Sequence, residues 1–435
     1  MEKKALALAV GALFVAPVAH AQITFGNDTI GTVQIYGRLY PQLQWSKADG
    51  STGAGATVST MASVNGINAT AGVDSGTHFG IQTSNSRLGF RGERKVAGGM
   101  KAIWQLEQTI NFEDPDDVAT NNTDGQGNGG VSSTDVTFAT RNSFVGLTGG
   151  WGTMKLGNFD TVYKEYGDTL NMFGVKSGNV VSASNMLSHI GIGTNGLARF
   201  HERAPNSILY ETPQLAGITA GVQYSPDERK GDPTVTRNKR LWSYGIKYDQ
   251  GPFYLSLAHE IHHDFFGLSA NVAASLRNSG DAHANSKDTA TRLSGTWRLG
   301  GGHEIVVDIS KLKWSESPSA PAAQRIQEYK HTTWAIGWEG RFPGGLRGAA
   351  QYVSAAAGSC SFQGTAVTAS CTTEGLKSDM ISLAVGYDLD RNTRLYALAN
   401  FTKNGDSARY DSTSLLSPAR GADIDNYALG ISYTF

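Results

Sequence analysis

The fold class the sequence predicts is all-β: a 16-stranded antiparallel transmembrane β-barrel with long extracellular loops, short periplasmic turns and an inward-folded third loop. Three observations predict it. Apolar and polar residues alternate with period 2 in segment after segment, the connections alternate strictly between long and short, and an export leader opens the chain. Period-2 alternation sets one face of a strand against an apolar medium and the other against a polar one. Short turns on one rim and long loops on the other are the connection pattern of transmembrane barrels. After the leader, no stretch reaches the roughly 18 consecutive apolar residues that a spanning helix requires.

The leader is residues 1–21. Lys3 and Lys4 precede an apolar run from Ala5 to Val18, which closes with Ala19-His20-Ala21, a small-x-small cleavage pattern. Residues 22–435 then make the barrel. Its first strand alternates Val33, Ile35, Gly37 and Leu39 with Gln34, Tyr36, Arg38 and Tyr40. Next come Ser86–Lys95, Met100–Phe112, Phe138–Thr148, Gly152–Asn158 and Asn206–Thr212. The middle of the chain supplies Gly217–Ser225, Trp242–Asp249, Phe253–His262, Thr289–Leu299 and His303–Trp314. The last five are His331–Phe342, Leu346–Ala356, Ser378–Leu389, Arg391–Lys403 and Tyr427–Phe435. Tight turns such as Gly149-Gly150-Trp151 and Gly300-Gly301-Gly302 alternate with longer links at about 47–85, 113–137, 159–205, 226–241, 263–288, 315–330, 357–377 and 404–423.

Composition agrees. The 435 residues hold 37 Lys+Arg against 38 Asp+Glu, a formal net charge of -1, with 53 Gly and 2 Cys. Balanced charge without a basic run argues against a nucleic-acid partner, whose binding surface is basic. A soluble sandwich or propeller would show inner strands rich in Leu, Ile and Val or a repeat of about 40–50 residues. Instead Trp45, Trp104, Trp151, Trp242, Trp297, Trp314, Trp334 and Trp338 fall near strand ends on the apolar face. Amphipathic rings there form the girdles of a membrane barrel.

Sixteen strands leave an aqueous channel, so the inward residues should be hydrated and ionisable. Arg38, Arg87, Arg91 and Arg141 project inward from three strands close together in the sheet. One reading is a positive wall acting on solutes; the other pairs these arginines with the lumenal acids Glu93 and Glu107. The third long link, 159–205, is long enough to do something of its own. Folded into the lumen, it would set Asp160, Glu165 and Asp168 opposite the arginines and create a transverse field.

The run Ser86-Arg87-Leu88-Gly89-Phe90-Arg91-Gly92-Glu93 continues through Gly98-Gly99-Met100-Lys101-Ala102 and Gln105-Leu106-Glu107. Arg141-Asn142-Ser143-Phe144-Val145-Gly146-Leu147 and Gly152-Thr153-Met154-Lys155-Leu156-Gly157 follow, with Tyr36-Gly37-Arg38 early and an aromatic C-terminus. In these features the whole chain resembles the Gram-negative general porins of the β-proteobacterial type. The resemblance implies sixteen strands, a homotrimer and an inward third loop facing a basic wall of Arg38, Arg87, Arg141 and Arg91. The third loop lacks the Pro-Glu-Phe-Gly-Gly stretch of many relatives. An outer membrane with its lipid and lipopolysaccharide would surround the barrel, and ions and small hydrophilic solutes would pass through it.

Other residue clusters could carry further chemistry. Cys360 and Cys371 share one loop, and an exported context with an even Cys count favours a disulfide. His259, His262, His263 and Asp264 suggest a metal, but period 2 separates His262 from His263, and solvated loop residues are the expected reading. Asp114, Asp116, Asp117 and Asp124 lack the spacing of an EF-hand loop, and no cofactor is implied. No Gly-x-Ser-x-Gly run supports a barrel enzyme. A substrate-selective channel with a saturable lumenal site is the alternative to open diffusion.

Overall fold

The computed structural model describes residues 23–435 apart from 28–30, 54, 65–73, 113–139, 176, 194–197, 229–236, 272–276, 319–324, 365–369, 413–414 and 417. The expected leader (1–21) and the loop acids Asp114, Asp116, Asp117 and Asp124 lie outside the described residues.

Among the described residues, twenty strand segments hydrogen-bond in one sheet. They are β1 (Ile23–Asn27), β2 (Gly31–Leu39), β3 (Gln42–Asp49), β4 (Ser75–Gln82), β5 (Arg87–Lys95), β6 (Lys101–Thr109) and β7 (Ser143–Gly149). Then follow β8 (Gly152–Asp160), β9 (Arg203–Glu211), β10 (Ile218–Ser225), β11 (Arg240–Gln250), β12 (Phe253–His263) and β13 (Asn285–Gly300). The last are β14 (His303–Ser317), β15 (Arg325–Arg341), β16 (Leu346–Ala355), β17 (Ser359–Gln363), β18 (Ser378–Asp388), β19 (Thr393–Asn404) and β20 (Asp423–Thr434). Three interruptions and one added segment reconcile these with a closed barrel of 16 strands. β2 and β3 form the first barrel strand, β4 and β5 the second, β16 and β17 the thirteenth, and β1 only covers the edge of β2. β20 pairs with β3 and with Arg38–Leu39, which closes the ring.

Two of the interruptions are one event. Pro41 has no N–H to give a ladder, and the neighbouring Tyr40 N–H donates to Ser86 Oγ at 2.8 Å instead. Ser86 is available because the second barrel strand breaks at 83–86, where Ser84 adopts φ 52. This break explains why the second strand begins at Ser75 rather than Ser86: β4 lies within the link expected at 47–85. The fourth strand begins at Ser143 rather than Phe138, although 138–139 are not described. β14 and β15 run past the expected ends, to Ser317 and from Arg325.

Outside, the barrel is apolar. Leu255 and Leu257 on β12, Leu293 on β13 and Ile309 on β14 are each roughly half exposed, facing away from the lumen. Their neighbours Ser256, Ser294 and Ser310 are buried, because the third loop packs on the inward face. The helix α1 (Thr60–Val64) of the first long loop is tied to the seventh, Thr60 N donating to Thr372 Oγ1 at 2.9 Å. Beside that tie a disulfide joins Cys360 to Cys371, as expected. One girdle residue is placed differently: Trp314 is fully buried in the lumen, stacked on Tyr329 and His331. Residues 312, 314 and 316 continue the inward face of β14 above the membrane band, so the even parity wins over the preference of Trp for an interface.

The seam is tight. Gly37 N donates to the Phe435 carbonyl at 2.9 Å, and Phe435 N donates to Gly37 O at 3.0 Å. A Cβ on Gly37 would lie 2.3 Å from Phe435 Cζ and 2.9 Å from the Arg87 carbonyl. Gly37→Val is therefore expected to lower the fraction of protein that runs as folded barrel on an unheated detergent gel. Adding Phe435→Ala should restore part of it by removing the ring but not the backbone contact; full folding of Gly37→Val alone would contradict this.

Candidate functional site

The inward face of the first strands carries the arginines, and one carboxylate organises them. Glu107 lies 2.7 Å from Arg141 Nε and 3.4 Å from Arg87 Nε. It also accepts from Tyr36 OH at 3.0 Å. Arg91 donates to Gln34 and lies over the Tyr36 ring, 4.8 Å from its centroid. Arg38, Arg87 and Arg91 share a cavity of about 410 Å³, with Tyr36, Gln105 and Glu107 also on its wall. Glu93 does not join them. It pairs with Lys101 at 2.7 Å, near the turn, because its register partner is Ile103, four residues nearer that turn than Glu107.

The third loop folds inward and follows the wall. Thr161 caps helix α2 (Val162–Gly167), its side chain accepting from Lys164 N. Val162 N and Tyr163 N donate to Gln223 and Ser243 on β10 and β11, while Ser294 on β13 donates to Gly167 O. Farther on, helix α3 (Ser184–Leu187) packs on β15 and β16. The loop tip meets Arg38, whose Nη1 and Nη2 donate to the Gly174 and Phe173 carbonyls at 2.7 and 2.9 Å. Gly174 has φ +79, and a Cβ there would sit 3.0 Å from Arg38 Nη1, so the approach depends on the glycine.

The three loop acids go to different places. Asp160 is paired with Lys164 at 3.0 Å and Arg203 at 3.3 Å. Asp168 is paired with His201 and lies 3.8 Å from Arg292. Glu165 is the exposed residue of α2. Two of the three are therefore held in ion pairs that fasten the loop to its own ends and to β13.

Comparison with known proteins places this architecture. A family profile described as Gram-negative porin matches residues 5–407. The chain belongs to the Gram-negative porin family. It is an outer-membrane barrel. Major outer membrane protein P.IB of Neisseria meningitidis serogroup B is 28% identical over 265 residues, which cover 60% of this chain and 60% of that protein. P.IB of Neisseria lactamica is 28% identical over 192 residues, 44% of this chain and 47% of the relative. The matched region thus spans less than two-thirds of these relatives. Among solved structures, the anion-selective porin from Comamonas acidovorans superposes with a TM-score of 0.61 at 19% identity, over 93% of this chain and 99% of that one. OmpT of Vibrio cholerae gives 0.57 at 11% identity, over 95% and 100%. At these identities the superpositions speak for the porin fold alone.

This porin has a second inward arginine group that the sequence reading left out. Arg347 donates to Asp388 at 2.7 Å and to Glu339 at 3.2 Å, and Arg394 donates to Asp388 at 2.6 Å. With Arg38 they line a further cavity of about 360 Å³, and Glu339 accepts from Phe173 N at 3.0 Å. Parity could have found both, since Arg347 follows outward Leu346 and Arg394 precedes outward Leu395. The histidine cluster also resolves differently. His262 is not solvated but buried and stacked on Phe200, while His259 and His263 face outward. The letters His259-Glu260-Ile261-His262-His263 match a zinc motif written for helices. On strand β12 the outer two lie about 13 Å apart at 3.3 Å per residue, too far to share an ion.

Inside the third loop, burial pushes the His189 imidazole well below its usual 6.5, and neighbouring Arg199 and His201 push the same way. A depressed histidine contributes stability above about pH 6.5 and loses it as the pH falls, by ~1.4 kcal/mol per unit. As the pH falls below 6.5, amide protection of Met186–Ile192 should fall, measured by hydrogen exchange corrected for intrinsic rates. His189→Gln should weaken this acid step, leaving what the likewise depressed His201 and His331 contribute; an unchanged step would contradict the assignment to His189.

Proposed function

We propose that the chain forms a water-filled, homotrimeric channel for passive diffusion of ions and small hydrophilic solutes, with a modest preference for anions. The observation that carries this is the 410 Å³ cavity, where three arginines stand on the wall against one acidic side chain, Glu107. Arg38, Arg87, Arg91 and Arg141 act as the basic wall of the constriction. Among Asp160, Glu165 and Asp168, only Glu165 is free of the ion pairs that occupy the other two, so the opposing negative side is weak. The Comamonas acidovorans neighbour is described as anion-selective, and an in-vitro folded OmpT neighbour as a trimer form; both support the reading by analogy.

A second reading, a substrate-selective channel, draws on the apolar cluster within the lumen, where Tyr163, Phe200 and Trp314 meet Leu268 and Leu376. Lumen filled by side chains conducts less, and a narrow path can bind its solute.

Single-channel recording in a planar bilayer under a salt gradient tests both. The expected record is stepwise current in threes, linear in salt, with a reversal potential of the sign for chloride. Arg87→Ala with Arg141→Ala should lower the chloride-to-potassium permeability ratio by about fourfold or more, the effect of one unit charge about 5 Å from an ion in water. An unchanged reversal potential would remove these arginines from the constriction. Small current blocked saturably by one solute would favour the selective channel.

A further inference from the structure

The seventh long loop carries the chain's two cysteines, and the bond between them reaches beyond that loop. Cys360 lies on β17, directly opposite the inward-facing Tyr329 of β15. Cys371 lies between Ser370 and Thr372, and those two residues hold α1 of the first loop. Thr60 N donates to Thr372 Oγ1 at 2.9 Å, and Thr372 N donates to Thr60 Oγ1 at 2.7 Å. Met61 N donates to Thr372 O at 3.2 Å, and Thr60 Oγ1 donates to Ser370 O at 2.9 Å. The bonds on α1 thus converge on the residues flanking one sulfur.

This contact crosses the channel mouth. The first loop leaves the barrel at β3, whereas β20, β19, β18 and the β16/β17 strand stand between β3 and β15 around the ring. Met61 and Ala62 are buried, and they join Trp314, Tyr329 and Leu376 in the cluster inside the barrel. Nearer to β3, Thr52 N donates to Arg420 O and Ser59 N to Ser407 Oγ, each at 2.9 Å. Those ties lie on the eighth loop and do not involve the cysteines, so only α1 depends on the seventh. Both cysteines are partly exposed, within reach of a small solute outside the cell. No other cysteine competes for exchange. A cross-link over so short a loop limits the alternative conformations of residues 370–372.

We propose that the Cys360–Cys371 disulfide is a redox latch, which holds α1 across the channel mouth until an external low-molecular-weight thiol reduces it. One thiolate attacks a sulfur of the pair, and the S–S bond breaks as a mixed disulfide forms. A second thiol attacks the external sulfur of that intermediate. Both cysteines then become thiols, having gained two electrons and two protons, and the two external thiols leave joined as their own disulfide. Released from β17, residues 370–372 no longer position the partners of Thr60 and Met61, and α1 withdraws from the mouth. The gating part of this proposal rests on the channel reading.

The test records single channels of the full-length protein before and after dithiothreitol is added on the long-loop side, with reduction verified by maleimide labelling of both cysteines. Reduction should shift the unit conductance upward. In detergent, hydrogen exchange at the Met61 amide should lose protection by about tenfold or more, the scale of a short-loop cross-link. Cys360→Ser/Cys371→Ser should show the larger conductance without thiol and should not respond to dithiothreitol. If that variant fails to fold, reduction of the folded wild type still decides. Unchanged conductance in a conducting protein, or unchanged Met61 protection, would overturn the proposal. Absence of current in both states would instead remove the channel reading, and Met61 protection alone would then decide whether the disulfide holds α1.

Discussion

The closure of the sheet is the constraint on which everything else depends. In hydrocarbon every backbone N–H and C=O must find a partner within the protein, so a sheet can span only if it has no free edge. Here the last edge is removed by β20 against β3 and by the paired backbone bonds of Gly37 with Phe435. Where the ladder fails, at Pro41, a hydroxyl from Ser86 takes the orphaned Tyr40 amide. Where β2 outruns the end of β20, β1 covers it. Each irregularity near the seam satisfies a polar group that lipid could not.

Closure also creates a second interior. A sixteen-strand ring is too wide for wall side chains to fill, and the third loop uses that space as a scaffold. Its helix α2 bonds to successive inward residues of β10, β11 and β13, and its tip is held by Arg38 and Glu339. The inward face of the wall therefore does two jobs. Gln223 of β10 and serines of β11 to β14 anchor the loop by hydrogen bonds, and the arginines of β2, β5, β16 and β19 stay beside the remaining cavities. Apolar residues meet inside where the first, third, fifth and seventh loops converge, around Phe200 and Trp314.

Much of this was legible in the alternation. Period 2 located the sixteen strands, and the order of long and short links assigned the rims, because both follow from geometry that every residue obeys. Breaks were not legible, because Pro41 and Ser84 interrupt a ladder without interrupting the barrel, so β4 was read as loop. The Arg38, Arg87, Arg91 and Arg141 faces came from parity alone. Arg347 and Arg394 obey the same parity, but they lie far along the chain and approach Arg38 only through closure of the ring, which a linear sequence does not display. Trp314 shows the opposite failure: residue preference suggested an interface, whereas its position above the apolar band leaves parity to decide.

The two readings of the arginine wall, ion pairs or a field on solutes, are compatible once charges are counted by cavity. Glu107 binds Arg87 and Arg141 and takes the Tyr36 hydroxyl as well. One negative charge thereby fixes the geometry of two positive ones and leaves an excess. Pairing lowers the entropy cost of holding long side chains at the wall, which is what a directed field requires. Arg38 is fixed without any carboxylate, by the carbonyl dipoles of Phe173 and Gly174, so its charge is oriented but not cancelled. On the far side Asp388 and Glu339 offset Arg347 and Arg394 more evenly. The positive excess is thus greatest between Arg38, Arg87 and Arg91, where side chains from β2 and β5 converge and where the loop tip approaches most closely.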